Sequence, residues 1–323
     1  MARPRIPDEI LDAAHARSRA RAERNWAEAD RLRAEIAAAG WTIVDRGTDF
    51  ALAPANPPDT ADRGRTRYGA SSSVPSRLAD PPTGLATVVL LATDWPADVD
   101  RAMTGLRAHA PDGTDAVIVA NGPSDDQESA LTDLETTDGG EGRLATEVVW
   151  TSERLGHAAA LNAGIRRAGA SVVVLLDPSV EPTGDLVTPL VRTLDDPMVA
   201  VAGPWGVRSV DLRHFEEAEP GEVDAIEAYA LAFRREDYVV RGPLDERFRF
   251  YRNLDLWWSL VLRDEGEGSI PRRALRVPDA PAVRHEHRGW ESLEPAERDR
   301  LSKRNFYRIL DRFGARRDLL VGG

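Results

Sequence analysis

One stretch restricts the fold more than any other: Ser171-Val172-Val173-Val174-Leu175-Leu176, followed by Asp177-Pro178-Ser179. A short, uninterrupted apolar run reads as a strand buried on both faces of a parallel sheet. In open α/β sheets, ligands bind outside the carboxyl ends of the strands. Asp177 therefore stands where a carboxylate can hold a divalent cation against a phosphate. Taken alone, it reads equally well as a polar strand end or a helix cap.

The surrounding pattern supports the parallel sheet. Strands are predicted at Thr87–Ala92, Ala116–Ala120 and Thr146–Trp150, separated by amphipathic segments that include Gly156–Ala168. Such alternation implies a doubly wound, mostly parallel α/β sheet. A less regular half follows, with a strand near Ile226–Phe233, a helix over Asn253–Arg263 and a last helix over Glu294–Phe313. Before the sheet, residues 7–39 read as a helical hairpin. Its first helix lies around Ile10 and Leu11. Its second carries Trp26, Ala29, Leu32 and Ile36 at helical spacing and stops at Gly40. Trp41–Val44 and Phe50–Leu52 then read as a β-hairpin turning at Arg46-Gly47. Residues 54–84 are rich in Pro, Asp, Arg, Gly and Ser, the composition of a flexible linker. The expected organisation is thus a module at 1–53, a linker at 54–84, a catalytic domain at 85–292 and a C-terminal helix at 293–323 packing on that domain.

Composition narrows the chemistry. The 323 residues include no cysteine, which excludes a disulfide framework, a thiolate zinc site and a cysteine nucleophile. A metal must then be held by oxygen or imidazole, which favours magnesium or manganese. A net charge of −12 disfavours nonspecific nucleic-acid binding. No apolar stretch reaches membrane-spanning length, and the first residues lack the apolar core of a signal peptide, so the expected location is cytoplasmic.

From residue 86 to about 292, the order of features resembles the family-two glycosyltransferases of the GT-A fold. The turn Ala120-Asn121-Gly122-Pro123-Ser124-Asp125 matches the family's turn after its second strand. Gly156-His157-Ala158-Ala159-Ala160-Leu161-Asn162-Ala163-Gly164 matches its small-residue helix start. Asp177-Pro178-Ser179 stands where the family has Asp-x-Asp. Two departures matter: Ala120 replaces the acidic residue that contacts the base, and Ser179 replaces the second carboxylate of the metal motif. The resemblance implies a nucleotide-diphosphate sugar donor, with Asn121, Gly156 and Asn162 near it. It also implies a weakly held manganese or magnesium ion on Asp177, Ser179 and a later histidine.

That histidine lies in Val283-Arg284-His285-Glu286-His287-Arg288-Gly289-Trp290. His285 fits the register best, and His287 shares its side if the segment is extended. Glu181 is a second carboxylate that could serve the metal. Arg284 and Arg288 could meet the diphosphate, and Trp290 the substrate. The stretch from Arg241 to Trp258 matches the acceptor loop and the acidic position before a helix. It places Asp255 as general base and Asp245 and Glu246 as acceptor-loop residues; Asp255 reads otherwise as a helix N-terminal residue facing the macrodipole.

Residues 7–53 resemble the small C-terminal region of cysteinyl-tRNA synthetases. The likeness lies in Trp26-Ala27-Glu28-Ala29-Asp30-Arg31-Leu32-Arg33 and Gly40-Trp41-Thr42-Ile43-Val44-Asp45. No synthetase catalytic signature accompanies it, so a docking role is expected. The leading expectation is an inverting glycosyltransferase acting on an acceptor hydroxyl. The alternatives are a degenerate GT-A nucleotide-sugar-binding protein and an RNA-associated protein acting through the hairpin.

Overall fold

A computed structural model describes residues 6–46, 49–62, 64–137 and 144–321. Helices α1 (Asp8–Ala22) and α2 (Trp26–Ala38) form the N-terminal hairpin, and strands β1 (Trp41–Arg46) and β2 (Asp49–Pro54) pair antiparallel after it. The glycine of the expected turn lies outside the described residues. Ile10, Ala14, Leu32, Ile36 and Ile43 build a small core belonging to this module. Trp26 departs from the expected apolar stripe. It is 57% exposed, and its ring lies 5.7 Å from the Arg21 guanidinium.

Residues 54–84 are not a flexible linker. Strands β3 (Thr60–Asp62) and β4 (Arg65–Tyr68) form a hairpin that extends the main sheet, with Arg67 and Tyr68 of β4 paired to Trp150 and Thr151. Val74, 1% exposed, joins the core. The following residues are strapped to the domain through their backbone. The Arg166 side chain donates to the Val74 carbonyl at 2.8 Å, Arg235 donates to that of Asp80 at 2.6 Å, and the Thr83 N–H donates to the Gly169 carbonyl at 2.8 Å. The polar composition that suggested a linker serves an ordered segment whose carbonyls are satisfied by arginines.

The domain continues as β5 (Ala86–Ala92), α3 (Pro96–His109), β6 (Thr114–Ala120), α4 (Asp125–Thr137), β7 (Ala145–Thr151), α5 (His157–Ile165) and β8 (Val172–Leu176). Short β9 (Val180–Pro182), α6 (Val187–Thr193), β10 (Val199–Gly203), β11 (Gly206–Ser209), β12 (Phe215–Glu217) and β13 (Gly221–Val223) follow. Next come β14 (Ala225–Ile226), β15 (Ala230–Arg234), α7 (Arg235–Arg241), α8 (Leu254–Arg263), β16 (Arg273–Arg276), β17 (Ala282–Arg284), α9 (Arg288–Glu291) and α10 (Pro295–Phe313). The strand expected over 226–233 is therefore two, broken by Glu227–Tyr229.

The main sheet has the order β13-β16-β10-β15-β8-β5-β6-β7-β4-β3. Its middle, β8-β5-β6-β7-β4, is parallel, and β15 lies antiparallel beside β8. This is the expected mixed α/β architecture with a large, mostly parallel centre. Every residue of β8 is buried, as its apolar run requires. One face of the sheet carries Val99, Met103, Leu106, Leu131 and Leu190, while the other carries α5, α8 and the apolar side of α10. Helix α5 lies directly on the strands. A Cβ on Gly164 would stand 2.5 Å from a Val89 methyl and 2.8 Å from one of Val119, so the small-residue run is required by close approach. Trp258 meets Phe233 and Tyr238 edge-on at 5.5 and 5.9 Å; losing such a side chain costs about 3–5 kcal/mol. No helix among the described residues is long and apolar enough to cross a membrane.

The strap makes a truncation test decisive. A chain starting at residue 56 keeps β3, β4 and Val74 and should melt as the full chain does. A chain starting at residue 80 loses them, with several buried hydrogen bonds. It should melt lower by roughly 6 °C or more, or fail to stay soluble. Equal melting temperatures, read by circular dichroism, would show that the strap contributes no stability.

Candidate active site

The parallel strands end together, and their ends build one wall of a cleft. After β5 come Thr93 and Asp94; after β6, Asn121 and Gly122; after β7, Arg154; after β8, Asp177. All but Gly122 line a compartment of about 460 Å³. Asn121 is buried, and its side-chain oxygen accepts the Leu155 N–H at 2.9 Å. Gly122 adopts φ +56°, donates its N–H to Thr151 Oγ1 at 2.9 Å, and leaves no room for a Cβ against the Arg154 backbone. This turn fixes the loop that carries Arg154 and Gly156. Arg154 meets Asp94 at 3.0 Å across the mouth. Exposed pairs of this kind hold little energy, so the guanidinium is free to exchange partners. Ala120 is fully buried and offers a base no side-chain hydrogen bond.

Asp177 stands where the cleft deepens. Its Oδ1 accepts Ser179 N–H at 2.8 Å and Ser179 Oγ–H at 2.5 Å, while its Oδ2 faces His287 Nε2 at 3.3 Å. Burial pushes the Asp177 carboxyl up, but the bond and charge of His287 and the Ser179 donors outweigh it and hold it below its ordinary value. Burial opposes the His287 cation, yet the Asp177 carboxylate wins and raises His287. His157, at the start of α5, is pulled by burial down to about 4 and is neutral near pH 7.

The geometry departs from the expectation for His285: His287, not His285, faces Asp177. Strand β17 pairs with β9, and the His285 N–H continues that ladder by donating to the Ser179 carbonyl at 2.8 Å. The His285 ring is thereby set on Glu181, with Nε2 2.7 Å from Oε2. The chain then leaves the extended path. His287 caps α9 through its Nδ1, which accepts the Trp290 N–H at 3.1 Å, and its ring stacks on Tyr251 at 4.4 Å. Among the described residues, no group of three carboxylates or imidazoles gathers to cage an ion. One carboxylate and one imidazole at a cleft edge do suit a magnesium or manganese ion shared with phosphate oxygens, since such ions bind through few carboxylates plus substrate.

The opposite wall starts at α8. Asp255 sits in its first turn, where Oδ2 accepts the Ala228 N–H at 3.1 Å and Oδ1 the Leu256 N–H at 2.9 Å. Burial raises its carboxyl above the ordinary value, against the pull of these donors and of Arg252. Asp255 lines a second compartment of about 440 Å³ with Asp177, Tyr251, His287 and Trp290. Arg252 lies over the Trp290 ring at 5.5 Å. Glu227 lines the same compartment, raised by burial and by the nearby Asp255 charge. The wall thus presents a fixed, half-buried carboxylate beside aromatic surface, suited to taking a proton from a bound hydroxyl.

Not every expected site residue reaches the cleft. Asn162, 1% exposed, is a structural tie. Its Oδ1 accepts Tyr238 O–H at 2.9 Å and Leu244 N–H at 3.0 Å, and its Nδ2 donates to the Leu244 carbonyl at 2.9 Å and to Glu246 at 3.1 Å. Glu246 also accepts the Ser71 hydroxyl, pinning the strap. Asp245 is bound by Arg247 at 2.6 Å and lines a different depression. Arg284 lies 5.0 Å from both the Trp205 and Tyr229 rings, with Glu217 at 3.6 Å and Glu227 at 3.5 Å. It is held away from the Asp177 compartment, whereas Arg288 lines it. Sequence reasoning missed His157, Glu227, Tyr251 and Arg252. Only Tyr251 and Arg252, lying just before the acidic position, carried a local signal.

A sequence profile described as "Glycosyl transferase family 2" matches residues 87–256. Among solved structures, the chain is similar to the mannosyltransferase PcManGT from Pyrobaculum calidifontis in complex with GDP-Man and Mn2+. The TM-score is 0.54 at 18% identity, over 77% of this chain and 73% of that one. It is also similar to GalNAc-T7 with UDP, GalNAc and Mn2+, with TM-score 0.57 at 14% identity, over 72% of this chain and 48% of that one. At such identities the likeness is one of fold. No curated protein matches the sequence.

The assignment of Asn162 as a tie is checked by stability. Asn162→Ala strands the Leu244 backbone groups and the Tyr238 hydroxyl in a dry interior, which should cost about 2–4 kcal/mol. Urea unfolding measures this. A loss under half a kilocalorie, with ligand affinity reduced instead, would return Asn162 to the binding site.

Proposed function

The chain belongs to glycosyl transferase family 2, and from that premise we propose that it moves a sugar from a nucleotide-diphosphate donor to an acceptor hydroxyl with inversion. The observation that carries this reading is the placement of two half-buried carboxylates, Asp177 and Asp255, on opposite walls of one cleft. The donor nucleotide occupies the compartment bounded by Asn121, Arg154 and Gly156. Gly156, at φ +96°, carries the chain into α5 in a conformation that side-chain-bearing residues rarely adopt. Arg154 and Arg288 can turn to diphosphate oxygens, which guanidinium groups match well. A divalent cation on Asp177 and His287 would neutralise charge on the departing diphosphate.

Asp255 is the general base. Its carboxylate takes the acceptor proton as the acceptor oxygen bonds to the anomeric carbon. The bond from that carbon to the phosphate oxygen breaks, and its electron pair leaves with the nucleoside diphosphate. One displacement inverts the centre. The Ala228 and Leu256 N–H groups fix the carboxylate's orientation, and burial keeps it basic enough to accept a proton. Trp290 and Tyr251 supply aromatic surface for the acceptor beside it. The N-terminal hairpin, with its own small core, is on this reading a docking module.

Asp255→Asn should lower kcat by about a hundredfold to ten-thousandfold while donor binding survives. Because the base must be ionised and burial raises its pKa, kcat/KM should climb with pH along a limb above the ordinary carboxylate range. The variant should lose that limb. Proton NMR of the first-formed product reads the anomeric outcome, and retention of configuration would refute the single displacement.

The proposed metal role of His287 has its own test. His287→Ala should raise the manganese concentration needed for half-maximal donor binding by roughly tenfold or more, as outer or direct metal ligands commonly do when removed. His285→Ala should shift it little. Calorimetric titration of a nucleotide diphosphate with and without manganese distinguishes them, and a larger shift for His285→Ala would reverse the assignment.

A further inference from the structure

Away from the cleft, α8 and α10 enclose a second depression of about 410 Å³, lined by Arg241, Asp245, Arg247, Trp257, Arg308 and Arg312 among others. Four arginines face it against two aspartates, Asp245 and Asp311, a local excess of positive charge in a chain of net charge −12. Two of the arginines are already engaged. Arg247 is bound to Asp245, and Arg241 donates to the Asp264 carbonyl and pairs with Glu265. Arg308 and Arg312 form no ion pair with any carboxylate among the described residues. Arg308 donates only to the Arg304 carbonyl at 3.1 Å and the Asn305 side chain at 3.4 Å.

Aromatic rings hold both guanidiniums in place. Arg308 lies 5.7 Å from the Phe248 ring, and Arg312 lies 4.9 Å from the rings of Trp257 and Phe313. The two are one turn apart on α10, so they share a face, and Arg304 extends the row by another turn. Burial and the charges of Arg304 and Arg247 pull Arg308 below its usual value. Such a row of like charges is a cost in the empty protein. A bound anion with several oxygens would relieve it, and planar guanidiniums set in advance on aromatic faces match phosphate oxygens in pairs.

We propose that this depression, walled by α8 and α10 and carrying Arg308 and Arg312, binds a phosphate group. The site lies outside the cleft. The group could belong to a soluble phosphate compound or to the headgroup of an anionic lipid.

The test uses the full chain without divalent metal. Inorganic pyrophosphate is titrated calorimetrically, and binding to phosphatidylglycerol vesicles is compared with binding to phosphatidylcholine vesicles by flotation. Each is run on the wild type, Asp177→Ala, Arg308→Gln/Arg312→Gln and Arg300→Gln. Arg300 is on the same helix but is paired with Glu297. The expected result is binding retained in Asp177→Ala and Arg300→Gln and weakened at least tenfold in the double variant. Whichever ligand shows that pattern identifies the source. Binding of neither ligand, or binding unchanged in the double variant, would overturn the proposal. Loss in Asp177→Ala alone would show that pyrophosphate occupies the cleft instead, which also overturns it. Arg308→Lys/Arg312→Lys guards against misfolding of the glutamine variant. It keeps the charges without the planar fork, and should bind between the wild type and the double glutamine variant.

Discussion

The carboxamide of Asn162 holds the two halves of the cleft in register. It belongs to α5, which lies flat on the parallel strands, yet it binds both backbone groups of Leu244, at the start of the loop leading to Asp255. Next to it, the N–H groups of His157 and Ala158 donate to the Arg249 and Phe248 carbonyls at 3.0 and 3.1 Å. The first turn of α5 therefore gives its unpaired N–H donors to that same loop, satisfying groups that every helix start leaves open. The two walls of the cleft are thus joined by buried polar bonds. Such bonds are worth about 1 kcal/mol each when made and cost more when one partner is lost. The joint tolerates little slippage, which is what the proposed in-line displacement between the two walls would require.

The two carboxylates of the cleft experience burial alike and are shifted in opposite directions. Asp177 is compensated by two Ser179 donors and a histidine, so its charge is favoured. Asp255 has two backbone donors and the pull of Arg252, yet burial prevails. Environments that push neighbouring acids apart separate their roles. Asp177 is suited to staying ionised against a cation and a diphosphate, and Asp255 to gaining a proton.

What the sequence revealed and what it hid follow from the range of the forces involved. The run Val172–Leu176 was legible because a strand buried on both faces leaves no choice of residue, and Asp177 follows from it. The start of α8 at the acidic position was legible too, from its apolar density. The exchange of His285 for His287 was not. Both lie on one side of an extended chain, and only the capping of α9 by His287 breaks that path. Asn162 was hidden for another reason: its partners are more than seventy residues away in sequence. The strap at 60–83 read as a linker because its stability comes from arginines elsewhere, and composition does not record a backbone's distant partners.

The carboxylate of Asp255, proposed as the base, is positioned by packing more than by its own bonds. Helix α8 has ten residues, too short to be stable alone. Its Trp258 is wedged against Phe233 and Tyr238 from the sheet and α7, and its Trp257 against Phe248 and Phe313 from the acceptor loop and α10. Asn305 of α10 donates to the Phe250 and Arg252 carbonyls at 2.8 and 2.9 Å, and Asn253, at φ +69°, donates to Ser302 of the same helix. The left-handed turn at Asn253 is a strained start for a helix, and it persists because α10 holds its side chain. The C-terminal helix therefore helps to set the position of Asp255 without lining the cleft. Loosening α10 would let Asp255 drift, and the proposed general-base catalysis would be lost over shifts well below those that unfold a domain.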